Sequence, residues 1–307
     1  MILSCGEALI DMLPRTSTLG EAAFAPYAGG AVFNTAMALG RLGAPAGFFS
    51  GISTDMLGEI LADTLTASKV DISHCARSAR PTTVAFVKLV NGQATYAFYD
   101  EGTAGRMLAL ADLPVLGPEV QALFVGGISL VNDPAASTYE ALQAREAHAR
   151  VTMIDPNIRP GFIAGKEVEY RARIERMIAR ADIVKLSDED LHWLEGPGDL
   201  VALARGILAK GPKIVFITEG AAGARAVTAT QDRFVAAQKV TVVDTVGAGD
   251  TFNAGVLAAL QATGALTKAR LAAVSDAELD AALTLGTRAA AVTVSRAGAN
   301  PPWAHEL

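Results

Sequence analysis

The hydrophobic positions of this chain form short uniform runs that alternate with longer periodic stretches. Runs such as Ala122–Gly126 and Ile214–Thr218 are apolar at successive positions, which is typical of parallel strands buried on both faces. This alternation predicts an α/β fold, with a mostly parallel central sheet and helices on both faces. The other predicted strands are Ile2–Ser4, Gly47–Ser50, Val151–Ile154, Ile183–Lys185 and Val292–Val294. The predicted helices are Val32–Leu42, Gly58–Ser68, Ala135–His148, Val168–Arg180, Glu189–Leu194, Leu200–Lys210, Asp250–Thr263 and Asp276–Ala291.

The segment Thr82–Tyr99 interrupts the alternation with two period-2 stretches around Asn91-Gly92. Asn-Gly is a strong hairpin signal because both residues tolerate positive φ. An antiparallel hairpin inserted in a parallel α/β chain predicts a small separate sheet, which is either an edge decoration or a lid over a substrate pocket. We expect a single domain over residues 1–307, with a lid formed from about residues 10–33 and 81–106.

Composition narrows the class of protein. With 51% hydrophobic and 19% charged residues among 307, the chain is expected to fold as a globular protein. A net charge of −6 disfavours a nucleic-acid partner, and the missing apolar span and signal sequence predict a cytoplasmic protein without a membrane partner. Cys5 and Cys75 lie in separate apolar segments without zinc-ligand spacing, so we expect buried thiols.

The most informative chemistry lies between Val240 and Leu260. A strand-like Thr241–Val243 leads to Gly247-Ala248-Gly249, and Asp250 then opens an Ala/Leu-rich helix. Glycines let a ligand approach the backbone, and the free N–H groups at a helix start form an anion site. Asp250 is either a helix cap or a base that takes a proton from a hydroxyl attacking a bound phosphate.

Two sequence signatures resemble those of the ribokinase-like (phosphofructokinase-B-type) carbohydrate kinases. DTVGAGDTFNAG, which contains Asp250, resembles the C-terminal signature, and AGGAVFNTAMALGRLG (Ala28–Gly43) resembles the N-terminal one. GEALIDMLP, DPNIRP and the late GAN-P extend the resemblance over nearly the whole chain. It implies the ribokinase-like fold and ATP-dependent phosphorylation of a primary hydroxyl of a small neutral sugar, with ATP, Mg²⁺ and, in many relatives, K⁺.

The resemblance also implies roles for individual residues. Asp250 matches the general base, and Gly247, Ala248 and Gly249 match the anion hole. Arg159 matches an arginine near the transferred phosphate or the sugar. The resemblance further implies sugar binding by Asp11, Gly29, Gly30, Asn34 and Phe98, nucleotide binding by Lys185, Thr218, Gly220 and Gly223, a monovalent cation near Asp244 and Val246, and water-mediated magnesium binding by Asp190.

Simpler interpretations remain open for three of these sites. Asn34 could cap the helix beside it, Asp11 could end a strand, and the Thr218 segment could be a plain strand-exit turn. The chain also departs from the family pattern where Asn-x-x-Glu is common, because Ser187 and Asp190 stand there, and at Ala31, where some relatives carry asparagine.

The expected substrate is D-fructose, because GEALIDM and FYDEGTA (Phe98–Ala104) resemble bacterial fructokinases. The 2-keto-3-deoxygluconate kinases place an arginine for a substrate carboxylate where this chain has Asp100, and a carboxylate there would repel another. Ribose, another ketose, 2-keto-3-deoxygluconate and nucleosides remain alternatives.

Other classes predict motifs that differ from these. A dinucleotide oxidoreductase needs G-x-G-x-x-G after the first strand and a P-loop enzyme needs G-x-x-x-x-G-K-[ST], and neither motif occurs. A non-catalytic sugar-binding regulator would keep Asp11 and Asn34 but has no use for a base at Asp250. In relatives the lid sheets often pair to form a homodimer, which an exposed hairpin edge would permit here.

Overall fold

The computed structural model describes residues 1–90 and 93–307, so the predicted Asn91-Gly92 turn lies outside the described residues. In chain order the strands are β1 (Ile2–Cys5), β2 (Leu9–Thr16), β3 (Ala22–Gly29), β4 (Ala46–Phe49), β5 (Gly51–Ser53), β6 (Val70–Asp71), β7 (Ala76–Ser78), β8 (Val84–Val90), β9 (Gln93–Tyr99), β10 (Ala122–Gly126), β11 (Val151–Asp155), β12 (Ile183–Ser187), β13 (Ile214–Thr218), β14 (Gly223–Val227) and β15 (Asp232–Ala236). The helices are α1 (Ala31–Arg41), α2 (Met56–Ala67), α3 (Ala135–Glu146), α4 (Pro160–Ile163), α5 (Glu167–Arg180), α6 (Asp188–Glu195), α7 (Leu200–Leu208), α8 (Ala248–Ala262), α9 (Lys268–Leu271) and α10 (Asp276–Val294).

A mostly parallel sheet forms the centre of the molecule. Its strand order is β15-β14-β13-β12-β11-β10-β1-β4-β6, and only the two pairings that involve β14 are antiparallel. Neighbouring residues of one strand point to opposite faces, so Ile2 and Phe124 pack in one hydrophobic cluster while Leu3 and Leu123 pack in the other. Both faces of the sheet therefore need a covering layer of helices.

Helices supply that layer on each face. Helices α1, α2, α8 and α10 contribute to the first cluster, and α3, α5, α6 and α7 contribute to the second. Helix α10 starts with a reciprocal cap, in which the Ser275 side chain accepts from the Glu278 N–H and the Glu278 carboxylate accepts from the Ser275 N–H. The predicted α/β fold class is confirmed.

A second sheet of four strands, in the order β3-β2-β8-β9, contains the predicted hairpin strands and the segment after β1. We call it the lid sheet. Asp11 of β2 is paired with Ala85 of β8, which is paired with Phe98 of β9, so the three residues lie in one row on one face. Phe86, one position along, points to the opposite face.

Two strand predictions are wrong. Val292–Val294 forms the last turn of α10, because Thr293 packs against α8, and its hydroxyl donates to Ala289 O (3.1 Å) and shares a hydrogen bond with Thr251 Oγ1 (3.0 Å). This tertiary packing outweighs the strand preference of β-branched residues. Thr241–Val243 is not in a strand either, because it runs past the end of α10, where the Val243 N–H donates to Val294 O (2.8 Å).

In the described part of the chain, we find no helix with the length and apolar character needed to cross a membrane.

Candidate active site

A cleft of about 1130 Å³ lies between the carboxyl ends of the central strands and the lid sheet. Ligand sites of open α/β folds lie at this edge of the sheet. Most residues singled out from the sequence line the cleft. They are Asp11, Gly30, Asn34, Phe98, Arg159, Lys185, Asp190, Thr218, Gly220, Gly223, Val246, Gly247, Ala248, Gly249 and Asp250. Gly29 and Asp244 do not line it but support residues that do.

Asp250 lies in the first turn of α8, with 6% of its surface exposed. Its Oδ2 accepts a hydrogen bond from Asn34 Nδ2 at 2.9 Å, which joins the two signature segments. The pKa of Asp250 is raised to about 7. Burial is the largest cause, the Asn34 hydrogen bond and Lys185 lower the pKa, and the nearby Asp155 and Glu7 raise it. A carboxylate that titrates near neutral pH suits a general base.

Asn34 lies in α1 and does not cap it, since the cap position is Gly30 and no side chain accepts there. Its Oδ1 is buried and has no hydrogen-bond partner among the described residues, although Asn34 lines the cleft. A buried amide oxygen without a partner is costly, and a ligand hydroxyl would satisfy it.

The turn Gly247-Ala248-Gly249 precedes the Asp250 side chain, and we call it the anion turn after the role that the family resemblance gives it. Gly247 adopts φ 79°, a left-handed conformation that favours glycine, and it is the cap residue of α8. A Cβ at Gly247 would lie 2.8 Å from the Cβ of Ala299, so a side chain has no room there. The first N–H groups of α8 lack intrahelical partners and, together with the helix dipole, attract a negatively charged ligand.

Lys185 reaches the same turn from the middle of β12. Its Nζ donates to Asp155 Oδ2 at 3.0 Å, and it lies 3.1 Å from the position that a Cβ on Gly249 would occupy. Asn253 Nδ2 donates to the same Asp155 oxygen at 2.7 Å. Asp155 and Asn253 were not predicted from the sequence, although Asp155 begins the DPNIRP motif and Asn253 lies inside the C-terminal signature.

The lid sheet contributes Asp11 and Phe98 to the cleft. Burial raises the pKa of Asp11 to about 6, and a Cβ at Gly29 would lie 2.6 Å from Asp11 Oδ2, so the glycine makes room for the carboxylate. Phe98 contacts Phe162 of α4 edge to face, with ring centroids 5.0 Å apart. This contact joins the lid sheet to the body at the mouth of the cleft.

Glu7 is a second buried carboxylate that the sequence analysis missed. It follows β1, and its oxygens accept from the N–H of Val32 (3.3 Å) and of Ser129 (3.2 Å). Burial raises its pKa, while these hydrogen bonds act in the opposite direction. Glu7 thereby ties the start of α1, which carries Asn34, to the loop after β10.

Arg159 and Asp190 differ in how far their hydrogen-bonding groups are already used within the protein. Arg159 is exposed in the cleft, and its guanidinium donates to Ile158 O at 2.9 Å. Asp190 is buried, and its oxygens accept from the N–H groups of Ile158 (3.1 Å) and Ser187 (3.4 Å). Burial raises the pKa of Asp190. Arg159 thus keeps donors for a ligand, whereas Asp190 organises the turns around it.

Thr218, Gly220 and Gly223 form the turn between β13 and β14 at the edge of the cleft. Gly220 has φ 54°, and a Cβ at Gly223 would lie 2.2 Å from Val235 O on β15. The need for glycine at Gly223 therefore comes from strand packing. Strands β14 and β15, which follow this turn, were not predicted from the sequence.

Asp244 and Val246 lie beside the anion turn. The Asp244 carboxylate accepts from the N–H of Val246 (3.0 Å) and of Gly298 (2.9 Å). These bonds fix the turn that precedes Gly247. Within residues 1–90 and 93–307 no group of three or more His, Cys, Asp or Glu side chains is arranged to hold a metal ion.

A smaller pocket beside the cleft contains Asp100, on which the sequence-based choice of sugar rested. Its Oδ2 accepts from Arg106 Nη1 at 2.8 Å and from Asn132 Nδ2 at 3.3 Å. Because Arg106 compensates the charge, Asp100 repels a substrate carboxylate less than the sequence alone predicts.

The chain is similar in sequence and in fold to known proteins. The sequence profile of the pfkB family carbohydrate kinases matches residues 1–306. The chain belongs to this family, and the family and kinase predictions made from the sequence are confirmed.

Two similar proteins are fructokinases. A curated fructokinase from Rhizobium leguminosarum bv. trifolii is 61% identical over 279 residues, which cover 91% of this chain and 85% of that protein. A fructokinase from Klebsiella pneumoniae is 34% identical over 263 residues, which cover 84% of this chain and 84% of that protein.

Two solved structures of fructokinases share the fold of this chain. The fructokinase from Xylella fastidiosa with bound ATP superposes with a TM-score of 0.87 at 27% identity, covering 97% of this chain and 93% of that one. A double mutant of the fructokinase from Vibrio cholerae O395, in fructose, ADP and potassium ion bound form, gives a TM-score of 0.83 at 26% identity, with coverage of 97% and 93%.

Proposed function

We propose that this protein transfers the γ-phosphoryl group of ATP to a primary hydroxyl of D-fructose. The observation that carries the proposal is the position of Asp250, whose carboxylate lies in the cleft beside the anion turn and hydrogen-bonded to Asn34 at 2.9 Å. Fructose is favoured over other sugars by the 61% identical fructokinase and by the fructose-bound structure of a more distant one.

In the proposed reaction, the bond between the γ-phosphorus and the oxygen that bridges it to the β-phosphate breaks. A bond from the sugar oxygen to that phosphorus forms, and the hydroxyl proton passes to Asp250, so the products are ADP, fructose phosphate and one proton. Asp250 holds the hydroxyl in line, while Arg159, Lys185 and the amides of Ala248 and Gly249 stabilise the transferring charge. Asp11 and Asn34 accept hydrogen bonds from hydroxyl groups of the sugar.

The side chains of the cleft suit magnesium that is bound to ATP better than a metal ion held by the protein alone. Magnesium prefers phosphate oxygens, waters and one or two carboxylates. Asp190 is the acidic side chain that we assign to it through water, since its oxygens already bond to backbone N–H groups. Bound magnesium would neutralise phosphate charge. A potassium ion beside the anion turn would be held by backbone carbonyls, because Asp244 is occupied by N–H groups.

We extend the proposal to a homodimer formed through the lid sheets. The face of the lid sheet opposite Phe98 carries Phe24, Phe86 and Tyr99 in edge-to-face contact, with centroid separations of 5.1 and 5.8 Å. Phe24 is 50% exposed and Tyr99 62% exposed, and such an aromatic face favours pairing with a second copy. Phe24→Glu should convert the dimer into a monomer in light scattering, while Val115→Glu, at an exposed valine elsewhere, should not. A monomeric wild type would contradict the dimer.

ADP release measured over a panel of sugars tests the function itself. The panel contains fructose, ribose, tagatose, 2-keto-3-deoxygluconate and nucleosides, each with and without potassium. We expect the highest kcat/KM with fructose. Equal or higher kcat/KM with another acceptor would contradict the assignment of fructose, and sugar binding without ADP release from any acceptor would support a non-catalytic regulator instead.

A further inference from the structure

A buried polar network lies under the anion turn, and two of its members belong to none of the assigned binding sets. Asp155 at the end of β11 is 1% exposed and accepts from Lys185 and Asn253 through one oxygen. Its other oxygen accepts from the Asn157 N–H at 3.0 Å, in the turn that leads to Arg159. One carboxylate thus links three elements that surround the phosphate position.

We propose that Asp155 and Asn253 are positioning residues, which hold the Lys185 ammonium group against the Gly249 backbone so that it acts on the transferring phosphoryl group. The inference deepens the kinase function proposed above and rests on it. Lys185 is the catalytic member of this network, because its side chain lines the cleft. Asp155 and Asn253 act through it.

Lys185 has hydrogen-bonding capacity left for a ligand. An ammonium group carries three N–H donors. Among the residues that the structure describes, Lys185 Nζ donates only to Asp155. The missing side chain at Gly249 leaves open the space beside Nζ, since a Cβ there would lie 3.1 Å away. The remaining donors can therefore meet a phosphoryl oxygen held by the amides of the same turn.

A comparison within the chain argues against a purely structural ion pair. Lys268 pairs with Asp182 at 2.6 Å, and Asp182 also accepts from the Thr152 N–H at 2.8 Å, so the two pairs have similar bonding. The Lys268 side chain is 33% exposed, whereas that of Lys185 is 5% exposed. Burying a lysine so completely carries a large desolvation cost, and a ligand charge at the turn would offset it.

The network also bears on Asp250. The groups that face the Asp250 carboxylate are Asn34 from α1, Asp155 from β11, Lys185 from β12 and Glu7 from the loop after β1. The wider cleft adds the charged side chains of Asp11, Arg159 and Asp190. Lys185 stabilises the ionised form of Asp250, and Asp155 and Glu7 destabilise it. Removing the charge of Lys185 and removing the charge of Asp155 should therefore move the titration of Asp250 in opposite directions. Loss of a structural contact alone would not have this effect.

The test compares Lys185→Met, Asp155→Asn and Asn253→Ala with the control Lys268→Met in the full chain. We would measure kcat and kcat/KM for fructose from about pH 5 to about pH 9, because the acid limb of kcat/KM reports the base of the enzyme before it binds fructose. The rise in Tm caused by ATP provides a readout that does not depend on turnover.

We expect Lys185→Met to lower kcat by about 100-fold and to move the acid limb up by about 1 pH unit. Asp155→Asn should move the limb down by a similar amount. Asn253→Ala keeps both charges, so kcat should fall by about tenfold with the limb unchanged. Lys268→Met should keep wild-type kcat and the full ATP-induced rise in Tm, which Lys185→Met should lose.

Acid limbs that stay in place, or move in the same direction in Lys185→Met and Asp155→Asn, would overturn the inference. So would equal losses in Lys185→Met and Lys268→Met. If Lys185→Met does not fold, the profiles of Asp155→Asn and Asn253→Ala decide. A wild type that binds ATP but phosphorylates no sugar would refute the proposed function alone, since the ATP-induced rise in Tm still tests where Lys185 lies.

Discussion

The carboxyl group of Asp250 is subject to two opposing influences. Burial disfavours its charge and raises its pKa to about 7, whereas the Asn34 hydrogen bond favours the ionised form. A base must be ionised to accept a proton, and a carboxylate of higher pKa is a stronger base. The raised pKa therefore makes Asp250 a stronger base, but it also leaves a fraction of the enzyme protonated and inactive near neutral pH.

The pH dependence follows from the two raised pKa values in the cleft. We predict that kcat/KM for fructose falls about tenfold for each unit below pH 7, because protonated Asp250 cannot accept the hydroxyl proton. Protonation of Asp11, whose pKa is about 6, should steepen the loss below pH 6. Initial rates at saturating ATP over this range check both steps. A flat profile between pH 5.5 and pH 7.5 would exclude a base with a pKa of about 7.

Stability should respond to pH in the opposite sense to activity. The folded pKa of Asp250 lies above its unfolded value, so the folded state binds more protons between about pH 4 and pH 7 and loses stability as pH rises through that window. Asp250→Asn removes this penalty, and we predict a gain in the free energy of unfolding on the order of 2 kcal/mol at pH 8. Urea unfolding at pH 4 and pH 8 measures the gain, which should be absent at the lower pH. A variant less stable than wild type at pH 8 would contradict this view of the burial.

Gly29 illustrates how a glycine serves a neighbouring side chain. A Cβ at this position would lie 2.6 Å from Asp11 Oδ2, so Gly29→Ala should displace the carboxylate and raise the KM for fructose by about tenfold. The KM for ATP should change little. Gly206→Ala is the matched control, because nothing lies within 4 Å of the added methyl. An unchanged fructose KM in Gly29→Ala would count against Asp11 as a sugar ligand.

At the scale of elements, uniform apolar runs in the sequence predicted the buried strands well. Short strands without such a run were not predicted. β14 reads Gly-Ala-Arg-Ala-Val and β15 reads Asp-Arg-Phe-Val-Ala, and a charged residue interrupts or precedes the apolar positions of each. Val292–Val294 has strand-like composition, yet it is helical because it continues α10 against α8. Local composition cannot reveal such long-range packing.

The lid sheet carries the contact that we expect to close the cleft. Phe98→Ala removes the edge-to-face contact with Phe162 and should raise the KM for fructose by about tenfold. ATP hydrolysis without sugar should also increase, because a looser lid admits water. Val115→Ala, at an exposed valine outside the lid sheet, is the control and should change neither quantity. Unaltered kinetics in Phe98→Ala would mean that the sheet does not act as a lid.

At the scale of the whole molecule, the site forms from segments that are distant in sequence. Asn34 and Asp250 are 216 positions apart and lie in direct contact. The family resemblance predicted that both serve one site, and the glycine turn was evident from the sequence. Asp155 and Asn253 were not, because a buried Asp–Lys–Asn network depends on which strand ends lie side by side, and only the sheet order brings β11 next to β12.

The central claim is that Asp250 takes the proton of the acceptor hydroxyl. The most direct measurement compares Asp250→Asn with wild type for turnover and for binding of fructose and ATP. We predict a loss in kcat of about 1,000-fold or more, with both dissociation constants within about threefold of wild type, because asparagine keeps the shape but cannot accept the proton. Near-normal turnover by Asp250→Asn would contradict the account.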